Sequence, residues 1–197
     1  MDSKWIRRVA SAAALGLCAG GLLFVRPAAQ GQPLTRPPRG ADGSLARGKY
    51  LVTAMGCNDC HTPWKMGANG PEPDMSLMLS GHPSSMTLPA PPAANGPWVA
   101  SASASSTAWA GPWGVSYTAN LTPDPETGLG QWTEQQFVDT MRSGRRQGRG
   151  REILPPMPWT AFRNLDDSDL KAMFAYLKTI PALKNKVPDP VIASPPK

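Results

Sequence analysis

The sequence predicts an all-α fold, and three observations carry that prediction. Three segments, beginning at Ser44, Thr133 and Asp166, combine helical spacing of apolar residues with start or stop signals. The run Cys57-Asn58-Asp59-Cys60-His61 places three reactive side chains at i, i+3 and i+4, on one side of a helical turn. The rest of the chain carries most of its 23 prolines and reads as long irregular stretches.

In the first helix Ser44 is a good N-cap, and Leu45, Leu51, Val52 and Met55 form one face. Gly56 then lets the chain turn into the Cys/His run. The stretch from Met75 to Pro123 contains no Asp, Glu, Lys or Arg and is read as a long Pro/Gly/Ala/Ser-rich loop insertion. Trp98, Trp109 and Trp113 imply that part of it packs against the domain. The second helix has a capping box, Thr133 with Gln136, and a hydrophobic staple, Trp132 with Phe137. Phe137, Val138 and Met141 supply its buried face, and Gly144 ends it. In the third, Asp166, Asp167 and Asp169 suit the positive end of the helix dipole. Leu170, Met173, Phe174 and Leu177 recur at i, i+3, i+4 and i+7, and the helix stops before Pro181.

Cys57-x-x-Cys60-His61 is the pattern for covalent haem attachment. Each thiol can add across one vinyl group, and the imidazole of His61 is offered to the iron. One such motif in the chain implies one haem c. Zinc would need four ligands, here Cys57, Cys60, His61 and His82, and a thioredoxin-like pair would need a βαβ setting; both are weaker readings.

Lys4, Arg7 and Arg8 precede the apolar run Val9–Val25, which Arg26-Pro27 ends. That is the layout of a secretory signal, or of an uncleaved N-terminal anchor, and residues 32–43 read as a flexible tether. Export agrees with the motif, because haem c is attached outside the cytoplasmic membrane; the expected location is periplasmic or on the outer face of that membrane. Residues 1–31 carry four of the 20 Lys+Arg and one of the 14 Asp+Glu, so the net charge falls from +6 to +3 without them. That balance argues against nucleic acid as a partner.

The sixth iron ligand must come from a methionine or from His82. Met141 and Met173 fall on apolar helix faces, Met55 is too close to Cys57, and Met66, Met75, Met78 and Met86 stay open as candidates. Met157 stands out in Leu154-Pro-Pro-Met157-Pro-Trp159, where prolines on both sides forbid a regular helix and hold the thioether in a stiff loop. Met/His ligation is the usual arrangement for an electron-carrying haem c. His82 is the runner-up, although a lone His in Gly81-His82-Pro83 is more often a surface residue.

The chain resembles class I c-type cytochromes. Gly48-Lys-Tyr-Leu51 resembles the family's N-terminal helix and Ala175-Tyr-Leu-Lys178 its C-terminal helix. The resemblance implies that these helices cross with Gly48 against Tyr176. Asn120-Leu-Thr-Pro-Asp124, Thr127-Gly-Leu-Gly-Gln-Trp-Thr133 and Pro156-Met-Pro-Trp159 are similar to the haem domains of cytochrome subunits of membrane-bound alcohol, sugar-acid and aldehyde dehydrogenases. It covers residues 44–63 and 115–188, and implies a helical fold around one haem with His61 and Met157 axial. It also implies that Trp132 and some of the five arginines between Arg142 and Arg151, Arg142 and Arg145 among them, lie near the haem propionates. The expected layout is a leader or anchor at 1–31, a tether at 32–43, a cytochrome c domain at 44–188 with an irregular insertion at 64–114, and a Pro-rich tail at 189–197.

The function expected is one-electron transfer by a carrier rather than an enzyme. Its redox protein partners would be a dehydrogenase or quinol-linked donor and an oxidase or reductase as acceptor. The alternatives are a fixed haem subunit of a membrane respiratory or dehydrogenase complex, and a haem enzyme or gas sensor with an open sixth site. The arginines at 142–151 suit docking to an acidic partner by electrostatic steering.

Overall fold

A computed structural model describes residues 44–92 and 98–193, all within one unit of the chain. The expected signal or anchor, the whole tether and the last residues of the tail lie outside the described residues. Among those described, no helix is long and apolar enough to cross a membrane.

Five helices appear among the described residues: α1 (Ser44–Ala54), α2 (Cys57–His61), α3 (Glu134–Ser143), α4 (Trp159–Phe162) and α5 (Asp167–Leu177). The three helical segments expected from periodicity are therefore present. The all-α expectation is not met, because two antiparallel sheets are built largely from the stretch read as a loop. The first pairs β1 (Trp64–Gly67) with β2 (Gly70–Pro73). The second runs β3 (Ser101–Ala102), β4 (Ala108–Gly111), β5 (Gly114–Tyr117) and β6 (Val191–Ile192), in that spatial order. The fold is mixed α and β.

The physical reason is local. Ala68-Asn69 is the two-residue turn that closes β1 onto β2 between the paired Gly67 and Gly70, with Lys65 opposite Glu72 across the pair. Gly111-Pro-Trp-Gly114 closes β4 onto β5, and Gly114 takes φ 103°, a left-handed value that favours glycine. The intervening residues are Ala and Ser with few β-branched side chains, so strand propensity is weak and composition concealed them. What holds them is side-chain hydrogen bonding: Ser105, Thr107 and the buried His82 are linked, at 2.8 Å from Ser105 Oγ to Thr107 Oγ1 and 2.9 Å from there to His82 Nδ1. Trp109 and Trp113 are partly buried, whereas Trp98 is 78% exposed.

Helix α3 forms the capping box its sequence encodes: Thr133 Oγ1 accepts from the Gln136 N–H at 3.1 Å, and Gln136 Oε1 accepts from the Thr133 N–H at 2.9 Å. Gly144 ends it in the left-handed region at φ 67°. The core joins Leu51 and Val52 of α1, Phe137, Val138 and Met141 of α3, and Leu170, Met173, Phe174 and Leu177 of α5. Leu45, expected on the buried face of α1, is 48% exposed.

Helices α1 and α5 cross at Gly48. A Cβ there would lie 1.9 Å from the Ala172 carbonyl oxygen and 2.9 Å from Tyr176 Cβ, so only glycine permits the approach. Beside the crossing, Arg47 donates to both carboxylate oxygens of Asp169, at 2.9 and 2.7 Å, with both residues buried. Replacing Gly48 with Ala must push the helices apart. It is expected to cost about 3 kcal/mol, the upper end of ordinary overpacking, and to lower Tm by roughly 6–12 °C in thermal unfolding.

Candidate functional site

Helix α2 carries the Cys/His motif. It starts after Gly56, whose φ of 68° turns the chain out of α1. One turn then presents Cys57 and Cys60, both partly buried, together with the buried His61. Thr62, at the end of this turn, fixes it from below. Its hydroxyl donates to Asn58 Oδ1 at 2.8 Å and accepts from the Leu79 N–H at 2.9 Å. The His61 carbonyl accepts from the Gly81 N–H at 2.8 Å.

The imidazole of His61 is oriented by one bond, Nδ1–H to the Ala119 carbonyl at 2.8 Å. A carbonyl only accepts, so Nδ1 carries the proton and Nε2 is the nitrogen left for a metal. Burial pushes the His61 pKa below its ordinary value, and the Ala119 bond opposes that only in part. The ring is therefore neutral, the form that ligates iron.

The Ala119 carbonyl is itself held on both sides. Strand β5 leads into it, with the Thr118 N–H donating to the Thr107 carbonyl at 2.9 Å. Asn120 follows, buried, with Nδ2 donating to the Leu183 carbonyl at 2.8 Å and Oδ1 accepting from the N–H and hydroxyl of Thr122. Asn185 Nδ2 ties the same tail segment to the Ser80 and His82 carbonyls. The tail beyond α5 thus crosses back over the domain, and β6 adds it to the sheet.

These elements enclose a cavity of about 630 Å³, within the range of sites for cofactor-sized ligands. Cys57, Cys60 and His61 border it, and so does Met157. The walls are Phe137, Met141, Phe162, Met173 and Leu177 from the core, Trp109 and Ser116 to Ala119 from the sheet side, and Lys186 to Pro190 from the tail. The Met157 loop is held in place by Ser116, whose hydroxyl donates to the Pro155 carbonyl at 2.6 Å, and by Trp159, which packs where Gly144 leaves room.

The other residues singled out in the sequence fall as follows. Trp132 borders the cavity, with the Arg146 guanidinium 5.6 Å from its ring. Arg146 and Arg151 border it, whereas Arg142 and Arg145 do not. Arg142 reaches the carbonyls of Arg163 and Leu165 and the Asp167 carboxylate, joining α3 to the start of α5. Arg145 pairs with Glu152 at 2.7 Å on the surface. His82 is fully buried rather than on the surface, away from the cavity, with Nδ1 bonded to Thr107 and Nε2 to the Met86 carbonyl at 3.2 Å. Met66 and Met75 are exposed, at 76% and 56%, and Met78 and Met86 lie off the cavity. With both His82 nitrogens engaged, the four-ligand zinc set does not assemble. Burial also pushes the Cys57 thiol up to about 12 and raises Cys60, opposite to what a reactive thiolate pair requires. The donors and the cavity fit a covalently attached porphyrin: two thiols and a neutral imidazole on one turn, beside an apolar space of matching size.

A sequence model of the cytochrome c family matches residues 45–181. The chain belongs to the cytochrome c family. Membership implies covalent haem c in the domain just described. Among curated relatives, a nicotinate dehydrogenase subunit of Pseudomonas putida is 32% identical over 178 residues, 89% of this chain and 12% of that protein. The fructose dehydrogenase cytochrome subunit of Gluconobacter japonicus is 30% identical over 176 residues, 86% of this chain and 29% of that protein. The cytochrome c subunit of alcohol dehydrogenase (quinone) from Gluconobacter oxydans is 42% identical over 82 residues, 40% of this chain and 17% of that protein. The cytochrome c chain spans less than a third of the length of these three relatives.

Asn120 is the joint between the His61 carbonyl partner and the tail. Asn120→Ala removes its bonds to Leu183 and Thr122 from a buried site, and is expected to lower unfolding free energy by about 1–3 kcal/mol in denaturant titration.

Proposed function

We propose that this chain is a monohaem c-type cytochrome that passes single electrons outside the cytoplasm, from a dehydrogenase or quinol-linked donor to a terminal acceptor. The observation that carries the reading is one cavity bordered by Cys57, Cys60 and the oriented, neutral His61, and also by the proline-held Met157. Bound there, haem supplies a one-electron ferric–ferrous couple. The chain's own residues do the rest. Cys57 and Cys60 would hold it, His61 Nε2 and the Met157 thioether would ligate its iron, and the core side chains would exclude water. A filled sixth position leaves no place for a substrate, which favours a carrier over a haem enzyme or gas sensor.

Export is supported by the charged and apolar N-terminal residues. The names of the relatives, cytochrome subunits of alcohol and fructose dehydrogenases, support a dehydrogenase as donor. A second reading, a fixed subunit of such a complex, draws on exposed apolar side chains in and near the uncharged stretch, Met66, Met75 and Trp98.

Haem staining should stay with the polypeptide after acid–acetone extraction and denaturing electrophoresis, at one haem per chain. Haem that extracts completely would sink the reading. Met157→Ala should abolish the weak long-wavelength band of ferric Met/His ligation and lower the midpoint potential; an unchanged band would place the sixth ligand elsewhere.

Of the five arginines, Arg145 and Arg149 are exposed and off the cavity. Arg145→Glu with Arg149→Glu should slow reduction by the native donor at low salt, and wild-type reduction should slow as ionic strength rises. A rate indifferent to both would favour the fixed subunit docked through apolar contacts.

A further inference from the structure

Among the described residues, one buried side-chain polar atom has no hydrogen-bond partner, the indole Nε1 of Trp109. The neighbouring tryptophans differ. Trp64 Nε1 donates to the Asp59 carbonyl at 3.0 Å, and Trp113 Nε1 donates to Ser116 Oγ at 3.3 Å. A buried N–H without an acceptor costs about 1–3 kcal/mol, and such atoms are rare unless something outside the chain satisfies them. Trp109 borders the same cavity as Cys57, Cys60, His61 and Met157. It lies on β4 opposite Ser116, the residue that holds the Pro155 carbonyl. The cavity that Trp109 borders is where an acceptor from outside the chain would sit.

The edge of a haem offers few acceptors. Its methyl groups have none, its vinyl groups are consumed by the two thiols, and its ring nitrogens face the iron. Its two propionate carboxylates are the strong acceptors, and a charge-assisted bond to a carboxylate is about twice as strong as a neutral one. The Met157 sulfur, two residues beyond Pro155, is only a weak acceptor. The cavity wall carries three cations, Arg146, Arg151 and Lys186, and three carboxylates, Asp59, Glu126 and Asp189, so cations that can meet a carboxylate are present but do not by themselves call for one. Arg146 and Arg151 both border it, and their backbones are paired, the Arg146 amide N–H donating to the Arg151 carbonyl at 3.0 Å. Burial and the Arg146 charge pull the Arg151 guanidinium below its ordinary pKa, while Asp189 opposes them.

We propose that Trp109 is a cofactor-binding residue whose indole N–H donates to a propionate carboxylate of the haem in this cavity. The inference rests on the reading of the cavity as a haem site, and it gives the added sheet a role: β4 supplies a donor that the helices do not. Partial neutralisation of the carboxylate by that donor favours the reduced iron, so loss of the N–H lowers the midpoint potential.

The test uses the full haem-loaded chain and Trp109→Phe, which keeps an aromatic ring and removes the donor. Haem staining on both comes first: a wild type without covalent haem overturns the haem reading and this inference with it. In loaded protein, the propionate-bending bands of the resonance Raman spectrum should shift and the potential should fall, while the ferric Met/His band keeps its position. Loaded Trp109→Phe with unchanged Raman bands and unchanged potential overturns the proposal alone. A moved Met/His band with unmoved propionate bands overturns it too, since the donor then serves Met157. Where the variant does not fold, isotope-labelled indole in the wild type decides. The Trp109 N–H should be protected from solvent exchange and shift with oxidation state; free exchange or insensitivity to oxidation state overturns the assignment.

Discussion

The hydrogen bond from His61 Nδ1 to the Ala119 carbonyl is the constraint around which this domain is organised. A ligating imidazole must be neutral and must point one nitrogen at the metal, and a backbone carbonyl on the other nitrogen secures both. A carbonyl is only as well placed as the chain that carries it. Here the two flanking segments, β5 before it and the Asn120–Thr122 turn after it, meet a segment far away in sequence, the tail at Leu183 and Asn185. The sheet and the tail therefore help to set the orientation of the His61 ring rather than decorate a helical core.

The helical core supplies the other half of the site. The crossing of α1 and α5 at Gly48, locked beside Arg47 and Asp169, sets where α2 begins. Helix α3 and the short α4 then bring Phe137, Met141 and Phe162 to the cavity wall. Apolar walls lower the local dielectric, which strengthens every charge interaction within and helps set a redox potential. Two attachments hold the Met157 loop: Ser116 on the sheet and Trp159 against Gly144 at the end of α3. Met157 is thus gripped from both the sheet and the helices, so its thioether is held beside the cavity by attachments on two sides.

The arginine-rich segment shows how one charge run divides its work. Arg142 fastens α3 to the start of α5, Arg146 and Arg151 face the cavity, and Arg145 and Arg149 stay on the surface. Linear spacing carries no sign of that division. Gln147 and Gly148, at φ 53° and 79°, coil the chain between them and reorder which side each arginine faces.

By itself the sequence determined whatever depends on short-range spacing. The C-x-x-C-H turn, the capping box at Thr133, the stop at Gly144, the apolar face of α5 and the proline-held Met157 are each set by residues within a few positions of one another. The glycine for the α1–α5 crossing was also legible, through the family resemblance of Gly48 and Tyr176. Tertiary structure decided what depends on distant partners. The Ala/Ser-rich strands have little intrinsic propensity and are held by pairing, by buried hydroxyls and by the tail, none of which a local window contains. His82 reads as a surface residue in a Gly-Pro turn and is buried because Thr107 and Met86 come to both its nitrogens. The Ala119 carbonyl carries no side-chain signal at all, since any residue has a carbonyl; only folding brings that one to His61.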